Sequence, residues 1–334
     1  MKTHSLISRI STIWMTIRNK SETRLNSQNI HLNTLLVITG PTASGKTDIS
    51  VEIAMRYGCD IISADSRQIY SGLSIGTAAP STDQLGKVKH HFVGFLPVTS
   101  YYSASIYEQE VIKLLPSLFD KNRVAILTGG SGLYIDAVCN GIDNIPDVDP
   151  DIRNHYIEKL SKEGVESLRN ELRIVDPEQY SRVDLKNPRR IMRALEIFAT
   201  TGRPYSSFLN RDKTERDFRI VKIGLLPLRD LLYDRINRRV DNMIAARLVE
   251  EARSFYPYRN FNALQTVGYR ELFKSFDGEI TLSEAVELVK RNTRRYARRQ
   301  ITWWTRDKEI RWFSPDDFGL ISEYISEKTE RDLV

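Results

Sequence analysis

Cysteine is almost missing from this 334-residue chain, and its two examples, Cys59 and Cys139, stand far apart. That excludes a disulfide framework and a zinc ribbon and indicates a reducing compartment; both thiols sit in apolar settings and read as inert. Long hydrophobic runs are missing too. No stretch approaches the roughly 18 residues that a membrane span needs, although hydrophobic residues make up an ordinary 41%. Histidine is scarce, and the adjacent pair His90-His91 has no third ligand at metal-binding spacing, so it reads as the start of a strand running towards Phe92 and Phe95. There is no internal repeat and no low-complexity tract. The length fits one large or two modest domains with a substantial core.

Acid is missing from one place in particular. Between Lys290 and Arg306 lie seven basic residues and no acidic one, with Tyr296, Trp303 and Trp304 among them. A solvated helix face and a nucleic-acid footprint both account for such a run, and the interleaved aromatics lean towards the second. The net charge is +6. The first stretch, residues 1–33, carries Arg9, Arg18, Lys20 and Arg24 with Glu22 as its single acid. It is too polar for a secretory signal and reads as a basic, poorly ordered extension or an upstream start (Met15 is a later candidate) rather than a transit peptide.

The apolar run Leu35–Thr39 predicts a buried strand, followed by a glycine-bearing loop and a helix from about Lys46 to Tyr57 that stops at Gly58. Further strands are expected over Asp60–Ala64, Val124–Thr128 and Ile220–Leu226. Strands alternating with helices indicate a parallel sheet with helices on both faces. The segment 145–216 breaks this alternation and reads as a mostly helical insertion. Within it, Asn187-Pro188 opens a helix whose stripe is Ile191, Ala194, Leu195 and Phe198, with Thr201-Gly202 closing it. A later helix has Leu232, Ile236, Val240, Met243 and Ile244 on one face, with Arg235 and Arg239 one turn apart. The basic helix is expected from about Ser283 to Trp304. The expected organisation is therefore an extension (1–33), an α/β core (34–144 and 217–313), the insertion (145–216) and a C-terminal tail (314–334).

Gly40-Pro41-Thr42-Ala43-Ser44-Gly45-Lys46-Thr47 matches the phosphate-loop pattern G-x-x-x-x-G-K-[ST], between a predicted strand and a predicted helix. Its glycines let backbone N–H groups face phosphate oxygens, and the helix N-terminus adds partial positive charge. Lys46 contributes a full charge, and the Thr47 hydroxyl can hold Mg²⁺. The motif does not distinguish a nucleoside triphosphate from another diphosphate. Asp65, after the second strand, falls near this loop, since ligands sit at the carboxyl ends of such sheets; from position alone it reads as a magnesium-holding or structural turn aspartate.

Six ordered motifs resemble the bacterial tRNA dimethylallyltransferases: the phosphate loop, Ala64-Asp65-Ser66-Arg67-Gln68-Ile69-Tyr70, Leu127-Thr128-Gly129-Gly130-Ser131-Gly132-Leu133-Tyr134, Asn187-Pro188-Arg189-Arg190 with Arg193-Ala194-Leu195-Glu196, Val267-Gly268-Tyr269-Arg270, and Arg299-Gln300-Ile301-Thr302-Trp303. The resemblance runs from about Leu35 to about Phe313. Ser131 stands where that family usually has threonine, and the chain lacks the cysteines of the zinc finger found in eukaryotic relatives. The resemblance implies a P-loop-like fold, dimethylallyl diphosphate as donor, Mg²⁺ as cofactor, no ATP hydrolysis, and a cytoplasmic, monomeric enzyme that binds a tRNA anticodon stem-loop. It implies that Asp65 is the base, with Thr42, Lys46, Arg235 and Arg239 at the reacting centre. It places tRNA contacts at Asp65, Ser66, Arg67, Gln68, Ser131, Arg153, at Arg189, Arg190, Ile191, Met192 and Arg193, at Gln265, Thr266, Val267, Gly268, Tyr269 and Arg270, and at Arg298, Arg299, Gln300 and Trp303. The rival readings are an adenylate dimethylallyltransferase, a P-loop small-molecule kinase and a non-catalytic RNA-binding module. The kinase leaves the basic helix and the insertion unexplained, and the adenylate enzyme has less need of a large basic surface. A pure RNA binder needs neither the phosphate loop nor Asp65.

Overall fold

In a computed structural model, residues 33–143, 145–209 and 214–330 are described. The basic extension read over residues 1–33 lies outside these but for its last residue. The chain divides into two compact units: the described residues of 1–101, 111–135 and 216–334, and those of 102–110 and 136–215.

The first unit is built on six parallel strands: β1 (Thr34–Thr39), β2 (Ile61–Ser63), β3 (His90–His91), β4 (Val124–Thr128), β5 (Arg219–Leu225) and β6 (Arg311–Phe313), in the order β3-β2-β4-β1-β5-β6. β1 is central. Leu36 pairs with Ile126 of β4 on one side and with Val221 of β5 on the other. Side chains alternate across a strand. Leu36 and Ile38 belong to a cluster with Ile49, Ile53 and Ala54 of helix α1 (Lys46–Tyr57), whereas Leu35 and Val37 face the other way and are equally buried. Both faces are thus covered, which explains why the central strands read as unbroken apolar runs.

The pair His90-His91 does form a strand, but a short one. Phe92 adopts φ 64°, a left-handed conformation that no extended strand tolerates. Its ring then meets Phe95 edge-on at 5.7 Å.

Residues 314–334, expected as a tail, contain an ordered element. Ahead of them β6 extends the sheet beyond β5, and helix α12 (Phe318–Glu330) follows; both were missed in the sequence. Ile321 and Ile325 are wholly buried in the same cluster as Leu36 and Ile38. The remaining elements of the chain are α2 (Thr82–Lys87), α3 (Ala104–Phe119), α4 (Gly132–Asn140), α5 (Pro150–Val175), α6 (Pro177–Arg182), α7 (Pro188–Thr201), α8 (Arg229–Ala245), α9 (Leu248–Ser254), α10 (Tyr269–Phe276) and α11 (Leu282–Trp304).

The second unit has no strand among its described residues. Its core joins Leu168 and Leu172 of α5 to Ile191, Ala194 and Leu195 of α7. α7 begins and ends where its capping residues dictate. The Asn187 side chain accepts from the Arg190 N–H, and Gly202 at φ 69° donates to Phe198 O. Gly164, at φ 76°, interrupts α5. The unit begins at residue 136 rather than 145 and includes 102–110.

Truncating Ile325 removes most of a fully buried side chain from the cluster beneath β1. Ile325→Ala should destabilise the protein by about 2–5 kcal/mol, read as a lower urea midpoint at unchanged slope. A midpoint equal to that of the unsubstituted protein would show that α12 is dispensable to the core.

Candidate functional site

The loop Gly40–Thr47 leaves the carboxyl end of β1 and turns into α1. Gly40 has φ 148°, and a Cβ there would lie 2.5 Å from Leu225 O and 2.9 Å from Ser44 Oγ, so no other residue fits without displacing backbone. The turn aims the start of α1 inward, and no side chain caps that helix. Ser44 is completely buried and its Oγ has no hydrogen-bonding partner. A buried hydroxyl left in this condition is costly unless a ligand engages it.

Two cations converge on this loop. Lys46 Nζ donates to Pro41 O (2.8 Å), and Arg239 of α8 donates to Thr42 Oγ1 (3.2 Å). Burial, reinforced by the neighbouring Arg239 and opposed by Asp65, brings the Lys46 ammonium down to about 7. Burial depresses Arg239 as well, but a guanidinium stays charged. Arg235, one turn earlier, does not join them. It is partly exposed and pairs with Asp316 at 3.4 Å, so the expected Arg235/Arg239 pair is divided between the surface and the site.

Asp65 stands on the opposite wall. Its Oδ1 accepts the N–H groups of Arg67 (2.9 Å) and Gln68 (3.4 Å), which fixes the carboxylate as the cap of its own turn. Oδ2 lies on the side of Gly130, where an added Cβ would sit 3.4 Å from Oδ2 and 2.7 Å from Gln300 Nε2. The Ser66 N–H donates to Ser131 Oγ (2.9 Å), so Ser131 braces the Asp65 turn from behind. Gln68 is anchored by donating to the Thr77 and Ala78 carbonyls.

A single cavity in the first unit is lined by Thr42, Lys46, Thr47, Asp65, Arg67, Gln68, Gly130 and Arg239, with Thr266, Val267 and Gly268 on a further side. Val240, Met243, Leu248 and Val289 add an apolar wall. The sequence did not single these four out as site residues, because an apolar helix position reads identically as core and as cavity lining. His90 also reaches the cavity; its Nδ1 is 2.9 Å from Val88 O, and burial lowers its basicity.

The residues expected to meet RNA fall into three groups. Arg298 and Arg299 on α11, and Gln265 and Arg270, are exposed, and Arg299 lies over the Tyr296 ring at 5.7 Å. The Trp303 ring covers Gly132. Others are buried and hydrogen-bonded within the protein, Gln300 at the cavity lining. Gln300 is buried, with its amide accepting from Thr42 N–H and donating to Gly130 O, both at 2.8 Å. Tyr269 is fully buried and donates to Glu251 at 2.7 Å. In the second unit Arg189 and Arg190 are exposed, whereas Ile191 and Met192 belong to that unit's core stripe. Arg153 and Arg193 there are engaged by Glu196.

An anion placed against Lys46 restores its proton, so the complex binds more protons than the free protein above pH 7 and affinity must fall as pH rises through that value. Calorimetry with inorganic diphosphate should show affinity weakening from pH 7 to pH 9 with proton uptake, lost in Lys46→Met. A flat profile would remove Lys46 from the anion site.

The IPP transferase family model matches residues 68–307. The chain is 53% identical over 292 residues to tRNA dimethylallyltransferase 1 of Bacteroides thetaiotaomicron, covering 87% of this chain and 95% of that protein. It is 48% identical over 297 residues to the tRNA dimethylallyltransferase of Christiangramia forsetii, covering 89% and 98%. Among solved structures it resembles the tRNA isopentenylpyrophosphate transferase of Bacillus halodurans, with a TM-score of 0.66, 35% identity, and coverage of 90% of this chain and 98% of that one. A eukaryotic dimethylallyltransferase, at 22% identity and a TM-score of 0.72 over 90% of this chain and 77% of that one, shares the fold. With its loop, carboxylate and cavity in the described arrangement, the chain belongs to the IPP transferase family, that of the tRNA dimethylallyltransferases.

Proposed function

We propose that the protein transfers the dimethylallyl group of dimethylallyl diphosphate to N6 of the adenine 3′-adjacent to the anticodon (position 37), in tRNAs reading codons that begin with U. The products are N6-dimethylallyladenosine and diphosphate. The observation that carries this reading is a cavity lined in common by a fixed carboxylate, Asp65, by the cation-bearing phosphate loop and by apolar side chains.

The exocyclic amine is a weak nucleophile because its lone pair is drawn into the ring. Asp65 accepts an N6 proton as nitrogen bonds to C1 of the donor and the C1–O bond breaks. Negative charge then grows on the departing diphosphate, where Lys46, Arg239, the Thr42 hydroxyl and the loop N–H groups other than those of Thr42 and Ser44, which donate to Gln300 and Pro41, receive it. The buried, unpartnered Ser44 Oγ fits a phosphate oxygen there. Val240, Met243, Leu248 and Val267 shelter the prenyl chain from water. Thr47 lines the cavity, and among the described residues no cluster of three or more carboxylate, histidine or cysteine side chains forms a metal cage. The Thr47 hydroxyl is the residue that would hold Mg²⁺ here, and the ion would supply charge neutralisation to the leaving group.

The acceptor base leaves its stack to reach Asp65. Arg67, Gln68 and the stretch Gln265–Gly268 line its path, with Arg270 beside it. In the first unit Arg298, Arg299 and Trp303 bind the anticodon stem-loop; in the second unit Arg189 and Arg190 are exposed for RNA contacts. One chain supplies every residue assigned to the cavity, which supports a monomeric enzyme. Among the described residues no helix is long and apolar enough to cross a membrane; the proposed tRNA substrate supports a cytoplasmic location.

The deciding assay follows label from dimethylallyl diphosphate into purified unmodified tRNA, with Mg²⁺ and without ATP, using AMP as a parallel acceptor. Asp65→Asn keeps the turn acceptor but not the base and should slow transfer by about 10²–10⁴-fold. Label in AMP alone would make the protein an adenylate prenyltransferase. Arg298→Ala should weaken tRNA binding and flatten the log K against log salt slope by about 1; an unchanged slope would leave Arg298 off the phosphate backbone.

A further inference from the structure

Beside the cavity, residues 255–264 form a tight knuckle of consecutive turns. The Tyr258 N–H donates to Phe255 O, Arg259 to Tyr256, Phe261 to Tyr258, and Leu264 to Phe261, all within 2.9–3.1 Å. Its inner side is anchored. Phe255 lies against Gly72, Ala263 and Leu264 are buried, and Tyr256 meets Phe273 and Phe276 edge-on at 5.6 and 5.7 Å. Gln265 braces it by donating to Arg259 O at 2.7 Å.

The outer side is different. Tyr258 and Phe261 are 43% and 41% exposed, with ring centroids 6.2 Å apart. Arginines lie on neighbouring rings and on the knuckle's backbone. Arg259 stacks over Tyr256 at 4.5 Å and Arg253 over Phe276 at 4.2 Å, and both are exposed. Arg67, which lines the cavity, donates to Asn262 O, and Thr266–Gly268, immediately downstream, form a cavity wall. The nearby acids Glu251 and Asp277 are occupied by Tyr269 and Tyr256.

We propose that Tyr258 and Phe261 form a stacking platform for an unpaired nucleotide next to the base held in the cavity. Resting on the reading of the acceptor as RNA, it assigns a surface that none of the motifs above includes. Rings held on a rigid backbone lose little entropy on stacking, and the flanking guanidinium groups complement the phosphates of a single strand. Because the knuckle adjoins the Arg67 wall, a base drawn into the cavity brings its loop neighbour to these rings. The platform therefore acts on acceptor binding, not on the reacting atoms.

The test uses the full chain and an unmodified anticodon stem-loop RNA carrying 2-aminopurine in place of single loop nucleotides flanking the acceptor. Tyr258→Ala/Phe261→Ala should raise the KM for RNA about tenfold or more while leaving the KM for dimethylallyl diphosphate unchanged, and should abolish stacking-induced quenching at one loop position. Tyr258→Phe, which keeps the ring, should restore both. An unchanged RNA KM and unchanged quenching at every position, with transfer intact, would overturn the platform and leave the proposed reaction standing. Unchanged RNA behaviour with altered sedimentation would give the patch to a second copy of the chain and overturn the proposal equally. If the unsubstituted protein transfers nothing to RNA yet shows ring-dependent quenching, the reaction is wrong and the platform survives.

Discussion

One buried amide holds the two halves of the cavity in register. Gln300, on the basic helix α11, receives the Thr42 N–H of the phosphate loop and gives its own N–H to Gly130 O, behind Asp65. An unpaired replacement would leave the Thr42 N–H without its acceptor, while Gly130 O would keep only the longer bond from the Tyr296 hydroxyl. The distance between the leaving-group end and the base end is set through this residue. Since Gln300 shares a helix with Arg298 and Trp303, the surface assigned to RNA is tied to the loop assigned to the donor through this one hydrogen bond.

The same compactness creates an electrostatic debt. Lys46 and Arg239 occupy buried space near one another, and Lys46 responds by giving up affinity for its proton. Asp65 offsets only part of this. In the proposed reaction the donor's diphosphate supplies the missing negative charge, beside the start of α1 and the unpartnered Ser44 Oγ. The site is thus poised for an anion it does not itself contain, which is the condition for preorganised stabilisation of a leaving group. Arg235, held outside by Asp316, takes no part in that balance.

Much of this was legible in local sequence because the signals were local. The phosphate loop needs only its own glycines, lysine and flanking elements, and α1 runs over the residues read for it. α7 was bounded correctly because Asn187, Pro188 and Gly202 act on their own turn. β6 and α12 were missed for the opposite reason. Arg311–Phe313 becomes a strand only because β5 offers it an edge, and α12 lies among charged residues, with Ile321 and Ile325 buried in the core and Phe318 and Tyr324 packed against it. The strand at His90 was read too long, since a positive φ at a phenylalanine has no signature in the sequence.

Within the site the division is similar. Residue type and order determined that a phosphate loop, an aspartate turn and a basic aromatic-bearing helix exist, because each is defined by chemistry along a few consecutive positions. Tertiary structure alone decided which side chains meet. It turned Gln300 and Tyr269 inward to bind protein, separated Arg239 from Arg235 across one helical turn, and made Val240 and Met243 a cavity wall. A helix position records its spacing in the chain, but whether it faces packed protein or an open cavity depends on elements far away in sequence.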